Sequence, residues 1–295
     1  MRRRVIAIAA AVAVQTGFGA GGFALEVERF DVWPEGKMPS LQTNQTVAPY
    51  MEWYTPKTSR SGMILISVSG GSYMWCGIDH FEVASVRDYF LERGVNVVAM
   101  RYRFPRPVGL PKHWTAWQDA QRTVRIVRHE ARKRGLDPER IGFTGCSAGG
   151  HLALMVATSS TQATYARIDE IDDEPCHVNF AIPVYPAYVL KPEEFESTLD
   201  RQIACNDLDV PLVKDFRFDV KTPPMCFFHG DADDWSAMGS LRMYHRLRLM
   251  GVPTELHILA GEPHCFHERP KPGTPAWNWK GRVWDWLVKM GFVEL

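Results

Sequence analysis

Short apolar runs alternate along the chain with segments whose apolar positions recur every three or four residues. The runs Met63–Val68, Val95–Met100, Ile141–Thr144, Phe180–Val184, Met225–His229 and Glu255–Leu259 predict buried strands. Trp117, Ala120, Val124, Val127 and Ala131 trace the apolar face of a helix that stops at Gly135, a residue suited to the left-handed turn after a helix. A later helix carries Leu241, Tyr244 and Leu247 and ends at Gly251, with Pro253 beyond, and a last helix spans roughly 279–290. This alternation predicts an α/β fold, a mostly parallel sheet with helices on both faces, because parallel neighbours need a crossover between them. Residues 186–222 lack a clear period and contain Pro186, Pro192 and Pro211. They read as a small lid-like insertion near the C-terminal edge of the sheet, where such folds place substrate loops.

The first residues follow a different pattern. Arg2, Arg3 and Arg4 precede an unbroken apolar run from Val5 to Val14, and Gly22-Phe23-Ala24 offers a small-x-small cleavage site. Residues 1–24 therefore read as a secretory signal peptide and 25–295 as one mature domain. An uncleaved anchor is the alternative, but ten apolar residues are too few to span a bilayer. The mature chain is expected to be secreted or periplasmic, with no stable membrane association after cleavage, in a compartment that permits disulfides. Composition narrows the class. At 295 residues, 45% hydrophobic and 23% charged, the chain is globular and neither disordered nor low-complexity. Lys+Arg and Asp+Glu both total 34, so no net charge draws it to nucleic acid. The unusual counts are 10 Trp and 6 Cys, whose positions need an explanation.

The candidate chemistry begins at Gly145-Cys146-Ser147-Ala148-Gly149, a G-x-S-x-G turn between a strand and the apolar helix Leu152–Ala157. Such an elbow holds a Ser hydroxyl on a sharp bend, with small residues where strand and helix cross closely. Ser147 is the candidate nucleophile, and the N–H of Ala148 is one candidate oxyanion donor. A second donor is expected from Gly71 or Ser72, in the stretch Ser69-Gly70-Gly71-Ser72-Tyr73 after the first predicted strand. A serine nucleophile needs a His base and a carboxylate to orient it. His264, in the loop after the last strand, is the favoured base, with His267 the alternative; His229, His245 and His257 lie on regular elements and read as structural. The strand ending at His229 runs into Gly230-Asp231-Ala232-Asp233-Asp234. Asp233 is the favoured acid, and Asp234 remains open.

Taken in order, Ser69–Tyr73, Tyr102-Arg103, Asp119-Ala120, the elbow, His229-Gly-Asp-Ala-Asp233 and His264-Cys-Phe266 resemble the α/β-hydrolase superfamily over nearly the whole mature chain. Within it, the chain resembles secreted esterases related to acetylxylan and feruloyl esterases, and more distantly the prolyl-oligopeptidase type. In that pattern the last Asp of H-G-x-x-D is the triad acid, which favours Asp233. The oxyanion loop departs from the usual H-G-G-G, with Ser69 in place of the His and Ser72 in place of the third Gly.

Cys146 precedes Ser147 and Cys265 follows His264. Bringing Ser and His into hydrogen-bond reach draws these neighbours together, so a Cys146–Cys265 bridge is expected. The arrangement resembles the CS-D-HC pattern of tannase and fungal feruloyl esterase families. Cys176 and Cys205 flank the insertion and could pair, whereas Cys226 lies within a strand. Tyr73, Trp75 and Trp235 are expected to line the substrate site, where aromatic faces suit sugar rings; Trp277, Trp279, Trp284 and Trp286 read as packing residues. The whole predicts a secreted serine carboxylesterase acting on a small-molecule or oligosaccharide ester, with acetylated xylan first, and needing no metal or organic cofactor. The rival readings are a serine peptidase of the prolyl-oligopeptidase type and a non-catalytic binding protein on the same fold.

Overall fold

A computed structural model describes residues 24–45, 47–59, 61–191, 209–266 and 270–294. The expected signal peptide lies outside them except for Ala24, as do His267 and Cys205. Eight strands form one sheet: β1 (Ala24–Asp31), β2 (Tyr50–Pro56), β3 (Ile64–Val68), β4 (Asn96–Arg101), β5 (Ile141–Cys146), β6 (Phe180–Val184), β7 (Met225–Gly230) and β8 (Thr254–Leu259). Their order is β1-β2-β4-β3-β5-β6-β7-β8. β2 runs antiparallel to both β1 and β4, and all remaining pairs are parallel. The helices are α1 (Phe81–Glu92), α2 (Trp114–Lys133), α3 (Ala148–Thr158), α4 (Ala237–Leu249) and α5 (Trp279–Lys289), with a 3-10 turn at Glu170–Asp173. This is the expected α/β-hydrolase architecture.

The period-2 geometry of strands sorts the apolar residues into two cores. Ile64, Ile66 and Val68 of β3 face one way with Val124 and Val127 of α2, Leu152 of α3 and Leu247 of α4. Leu65, between them in sequence, faces the other way with Val83 and Phe90 of α1 and Trp279, Val283 and Trp286 of α5. Because both faces are covered, the central parallel strands β3, β5, β6 and β7 are apolar almost throughout and wholly buried.

All six expected strands form, with ends shifted by at most two residues. β1, β2 and α1 were not expected. α1 escaped because charged residues interrupt its apolar stripe, and two of them, Glu82 and Arg87, are themselves buried. The Tyr102-Arg103 and Asp119 fragments, far apart in sequence, meet as an ion pair of 2.8 Å that is wholly buried. Trp33 Nε1 also donates to Asp119 at 2.7 Å, so the segment between β1 and β2 is fastened to α2. In the expected insertion, the described residues form no helix or extended strand; Leu190 and Leu212 make one antiparallel bridge. Tyr188, Val189, Val213 and Phe216 join the core beside α3 and α4. Among the described residues, no helix is long and apolar enough to cross a membrane.

Candidate active site

The site lies beyond the C-terminal ends of β3, β5, β7 and β8, where the parallel strands deliver their following loops to one edge. Ser147 separates β5 from α3 and has φ 54° and ψ −118°, a strained backbone for any residue with a Cβ. Close packing imposes this bend. A Cβ on Gly145 would lie 2.3 Å from the Gly149 oxygen, and one on Gly149 would lie 2.6 Å from the Ser69 oxygen. Only glycine lets the strand, the helix and the β3 loop converge there.

Ser147 Oγ lies 2.9 Å from His264 Nε2, and His264 Nδ1 lies 2.7 Å from Asp233 Oδ2. These three residues are 117 and 31 positions apart in pairs and meet only through the fold. Asp233 is buried, and its other oxygen, Oδ1, accepts the backbone N–H of Trp235 at 2.7 Å. Asp234 is exposed, so it is Asp233 that faces the imidazole. Burial pushes the Asp233 carboxyl up, but hydrogen bonding and charge from His229 and His264 outweigh it and hold the group well below the usual carboxylate range. It is an anion at neutral pH. A carboxylate can only accept, so the Nδ1 of His264 carries the proton and Nε2 presents its lone pair to the serine hydroxyl.

The β3 loop crosses directly over Ser147. A Cβ on Gly70 would stand 2.9 Å from the Ser147 Cβ. Gly71, Ser72 and Tyr73 then have φ of 104°, 55° and 59°, a run of left-handed backbone that turns the chain sharply. The carbonyl of Gly71 accepts the N–H groups of Met74 and Trp75 at 2.8 and 3.1 Å, which closes the turn. Ala148, on the far side of the nucleophile, is the first residue of α3. The first N–H groups of a helix have no intrahelical acceptor, so this is a place where an anion is favoured.

One buried side chain fastens this loop and a second stands behind it, and the sequence pointed to neither contact. Glu82 of α1 accepts the Gly70 N–H at 2.6 Å through Oε2 and the Tyr185 hydroxyl at 2.9 Å through Oε1. Tyr185 in turn stands edge-on to His264, with ring centroids 4.8 Å apart. Tyr73 does not open onto solvent as a lining residue would. It is buried, with its hydroxyl 2.8 Å from His151 Nδ1 on α3. Trp75 is 43% exposed and stands edge-on to His80. Trp235 is half-buried and packs edge-on against Tyr188 at 4.8 Å. The loop carrying the base, Ala260 to Phe266, lines a cavity with Pro270, Lys271, Thr274 and Pro275.

The expected Cys146–Cys265 bridge is not formed; both residues are thiols. They are near enough for Cys265 to raise the Cys146 thiol electrostatically, after burial and Glu82, while a hydrogen bond with Tyr185 acts in the opposite sense. Cys226 is buried in β7. Trp279 and Trp286 are packed in the core, but Trp277 is 52% exposed and is not a packing residue.

Among the described residues, one group of His, Cys and acidic side chains has metal-ligand proximity: Cys226, Glu255 and His257, with ligand atoms within 4.8 Å of one another. It lies toward the opposite, N-terminal end of β7 and β8. His257 Nε2 there is already matched to Glu255 Oε1 at 2.6 Å.

The BD-FAE family model matches residues 51–240, a segment that includes β2 through the acid turn and ends before His264. The chain is 31% identical to an acetylxylan esterase of Xylanibacter ruminicola over 105 residues, 34% of this chain and 20% of that protein. It is 24% identical to endo-1,4-beta-xylanase B of Butyrivibrio fibrisolvens over 163 residues, 54% of this chain and 25% of that protein. The chain thus spans a quarter or less of the length of these two relatives. Among solved structures, an acetyl ester-xyloside bifunctional hydrolase from Caldicellulosiruptor lactoaceticus superposes with a TM-score of 0.72 at 23% identity, over 95% of this chain and all of that one. Esterase 2 of Thermogutta terrifontis, phosphorylated by paraoxon, superposes with a TM-score of 0.65 at 23% identity, over 91% of this chain and 96% of that one. The family match covers well over half of the sequence and holds both the elbow and the acid turn, so the chain, an α/β hydrolase by fold, belongs to the BD-FAE family.

Proposed function

We propose that this protein is a secreted serine carboxylesterase that removes acyl groups from plant polysaccharide or its fragments, with acetylated xylan the first substrate. The observation that carries the reading is the unbroken chain Ser147 Oγ–His264–Asp233, at 2.9 and 2.7 Å. His264 Nε2 takes the hydroxyl proton as Ser147 attacks the ester carbonyl. The N–H groups of Ala148 and of Gly71 or Ser72 receive the oxyanion. His264 then gives its proton to the departing sugar hydroxyl, and water, activated by the same base, releases the acid. Asp233 stays ionised throughout and stabilises the imidazolium. The chemistry runs on these side chains and needs no added group. The acyl-sugar class is supported by the acetylxylan esterase and the acetyl ester-xyloside hydrolase among the similar proteins. The exposed Trp75 ring beside the oxyanion loop gives a surface on which a sugar can stack.

The test is hydrolysis of nitrophenyl acetate and acetylated xylan by the purified protein and by Ser147→Ala. The variant is expected to lose about 10⁴-fold or more in rate. Activity retained by Ser147→Ala would overturn the nucleophile. Cleavage of a dipeptide amide in preference to the acetyl esters would favour a peptidase, and no Ser147-dependent turnover of either would favour a binding protein.

A further inference from the structure

The acid of the triad faces two histidines. His229, the fifth residue of β7, is fully buried. Its Nε2 lies 3.2 Å from Asp233 Oδ2, the oxygen that also meets His264 Nδ1 at 2.7 Å. On its other side, His229 Nδ1 lies 2.8 Å from Ser240 Oγ of α4. Ser240 is buried as well. The chain of contacts therefore runs Ser240–His229–Asp233–His264–Ser147, and its first half is buried.

The chemistry of these atoms sets the direction of the contacts. Asp233 can only accept, so the proton of a neutral His229 sits on Nε2, facing the carboxylate. Nδ1 then presents a lone pair, and the Ser240 hydroxyl donates to it. The opposite tautomer would place a lone pair against a carboxylate oxygen in a fully buried site. At 3.2 Å the Nε2 contact is longer than the 2.7 Å contact from His264, so it supports the charge on Oδ2 and leaves that oxygen directed at His264. The Trp235 N–H holds Oδ1 at 2.7 Å. Together these partners leave the carboxylate one orientation. A residue that merely filled space at the end of β7 would need neither nitrogen. A buried imidazole with one nitrogen on a hydroxyl and the other on the triad acid is costly to place unless both are used.

We propose that His229, set in its tautomer by Ser240, is the positioning residue of the triad: it fixes which oxygen of Asp233 serves His264 and keeps that oxygen charged while the imidazolium exists. The inference rests on the reading of the site as a serine esterase. It makes His229 a determinant of turnover and not of substrate binding.

The test compares His229→Phe, His229→Gln and Ser240→Ala with wild type and with Ser147→Ala, using nitrophenyl acetate. His229→Phe removes both nitrogens, whereas His229→Gln keeps an N–H that reaches toward Asp233. His229→Phe is expected to lower kcat about 10- to 100-fold, the worth of a hydrogen bond to a charged group, with KM unchanged. The acidic limb of kcat/KM should move to higher pH, because the Asp233 carboxylate with one N–H donor fewer pulls harder on the proton of His264. His229→Gln should recover most of the kcat, and Ser240→Ala should show a smaller loss with a limb shift in the same direction. A folded His229→Phe with the kcat and pH profile of wild type overturns the proposal. So does a loss that follows Tm alone and is not relieved in His229→Gln. Should His229→Phe fail to fold, wild-type kcat and pH profile in both His229→Gln and Ser240→Ala overturn it. Wild-type protein without Ser147-dependent turnover overturns the esterase reading itself, a result distinct from these.

Discussion

Glu82 reaches from α1 to the loop above the nucleophile and accepts the Gly70 N–H at 2.6 Å. Its second oxygen takes the Tyr185 hydroxyl at 2.9 Å, and the Tyr185 ring stands against His264. One buried carboxylate thus braces the oxyanion loop and the wall behind the base. Glu82→Ala leaves an N–H and a hydroxyl without their acceptor, each costing about 1–3 kcal/mol. We expect a lower Tm and a fall in kcat together. Glu82→Gln keeps an oxygen for Gly70 and should lose much less. Thermal unfolding and nitrophenyl acetate kinetics on the two variants check this, and equal losses in both would count against the bracing role.

The elbow tolerates no side chain at Gly149. A Cβ there meets the backbone oxygens of Ser69 and Val68 at 2.6 and 2.9 Å, and neither can move without parting β3 from α3. Gly149→Ala is expected to cost about 3 kcal/mol and lower Tm by roughly 10 °C. Differential scanning fluorimetry measures it directly, and a Tm within about 2 °C of wild type would show that the crossing can relax.

His151 gives stability a pH dependence. Burial, with smaller contributions from His113 and Lys112, holds its imidazole well below the ordinary histidine range, so it is neutral where it meets the Tyr73 hydroxyl. The unfolded chain takes up this proton below about pH 6.5, while the folded chain does not. Protons therefore favour unfolding, and stability is lost as pH falls below that value, at about 1.4 kcal/mol per unit until the folded imidazole also titrates. His151→Gln should show a flatter fall in denaturant midpoint between pH 7.5 and 4.5. Parallel curves for the two proteins would mean that the folded imidazole is protonated.

Trp75 is expected to separate polymer from small ester. Its ring is 43% exposed and is not part of the core, so Trp75→Ala should leave Tm within about 2 °C of wild type. On acetylated xylan KM should rise by about 10-fold, while on nitrophenyl acetate it should hardly change. An equal effect on both substrates would show that the ring shapes the acyl pocket and not a sugar surface.

The legible parts of the sequence are those that local physics dictates. The central strands were readable because they are apolar on both faces, and the elbow because close packing leaves glycine no substitute. Ser147, His264 and Asp233 each follow a strand's C-terminal end, so chain order and loop position pointed to Ser147, to His264 and to the turn that holds Asp233, where the H-G-x-x-D resemblance favoured Asp233 over Asp234. Contacts made across the fold left little trace. Glu82 sits in an interrupted helical stripe that conceals both the helix and the burial. Tyr73 read as a lining residue, yet its hydroxyl is used by His151, 78 positions along the chain on α3. His229 read as a structural residue at the end of a strand. The signal that pointed elsewhere was its spacing: a His four residues before the acid is carried back onto the carboxylate by the turn after β7.

The sheet order has a consequence for how activity is lost. Ser147 follows β5, deep in the sheet, and Asp233 follows β7, but His264 follows β8, which stands at one edge of the sheet, pairs among the described residues with β7 alone and is partly exposed along most of its length. His264 must reach back past β7 from this border. An edge of the sheet therefore carries the imidazole that meets the Ser147 hydroxyl. Warming or mild denaturant should silence the protein at the β8 edge first, yielding a population that is catalytically dead yet natively folded by circular dichroism.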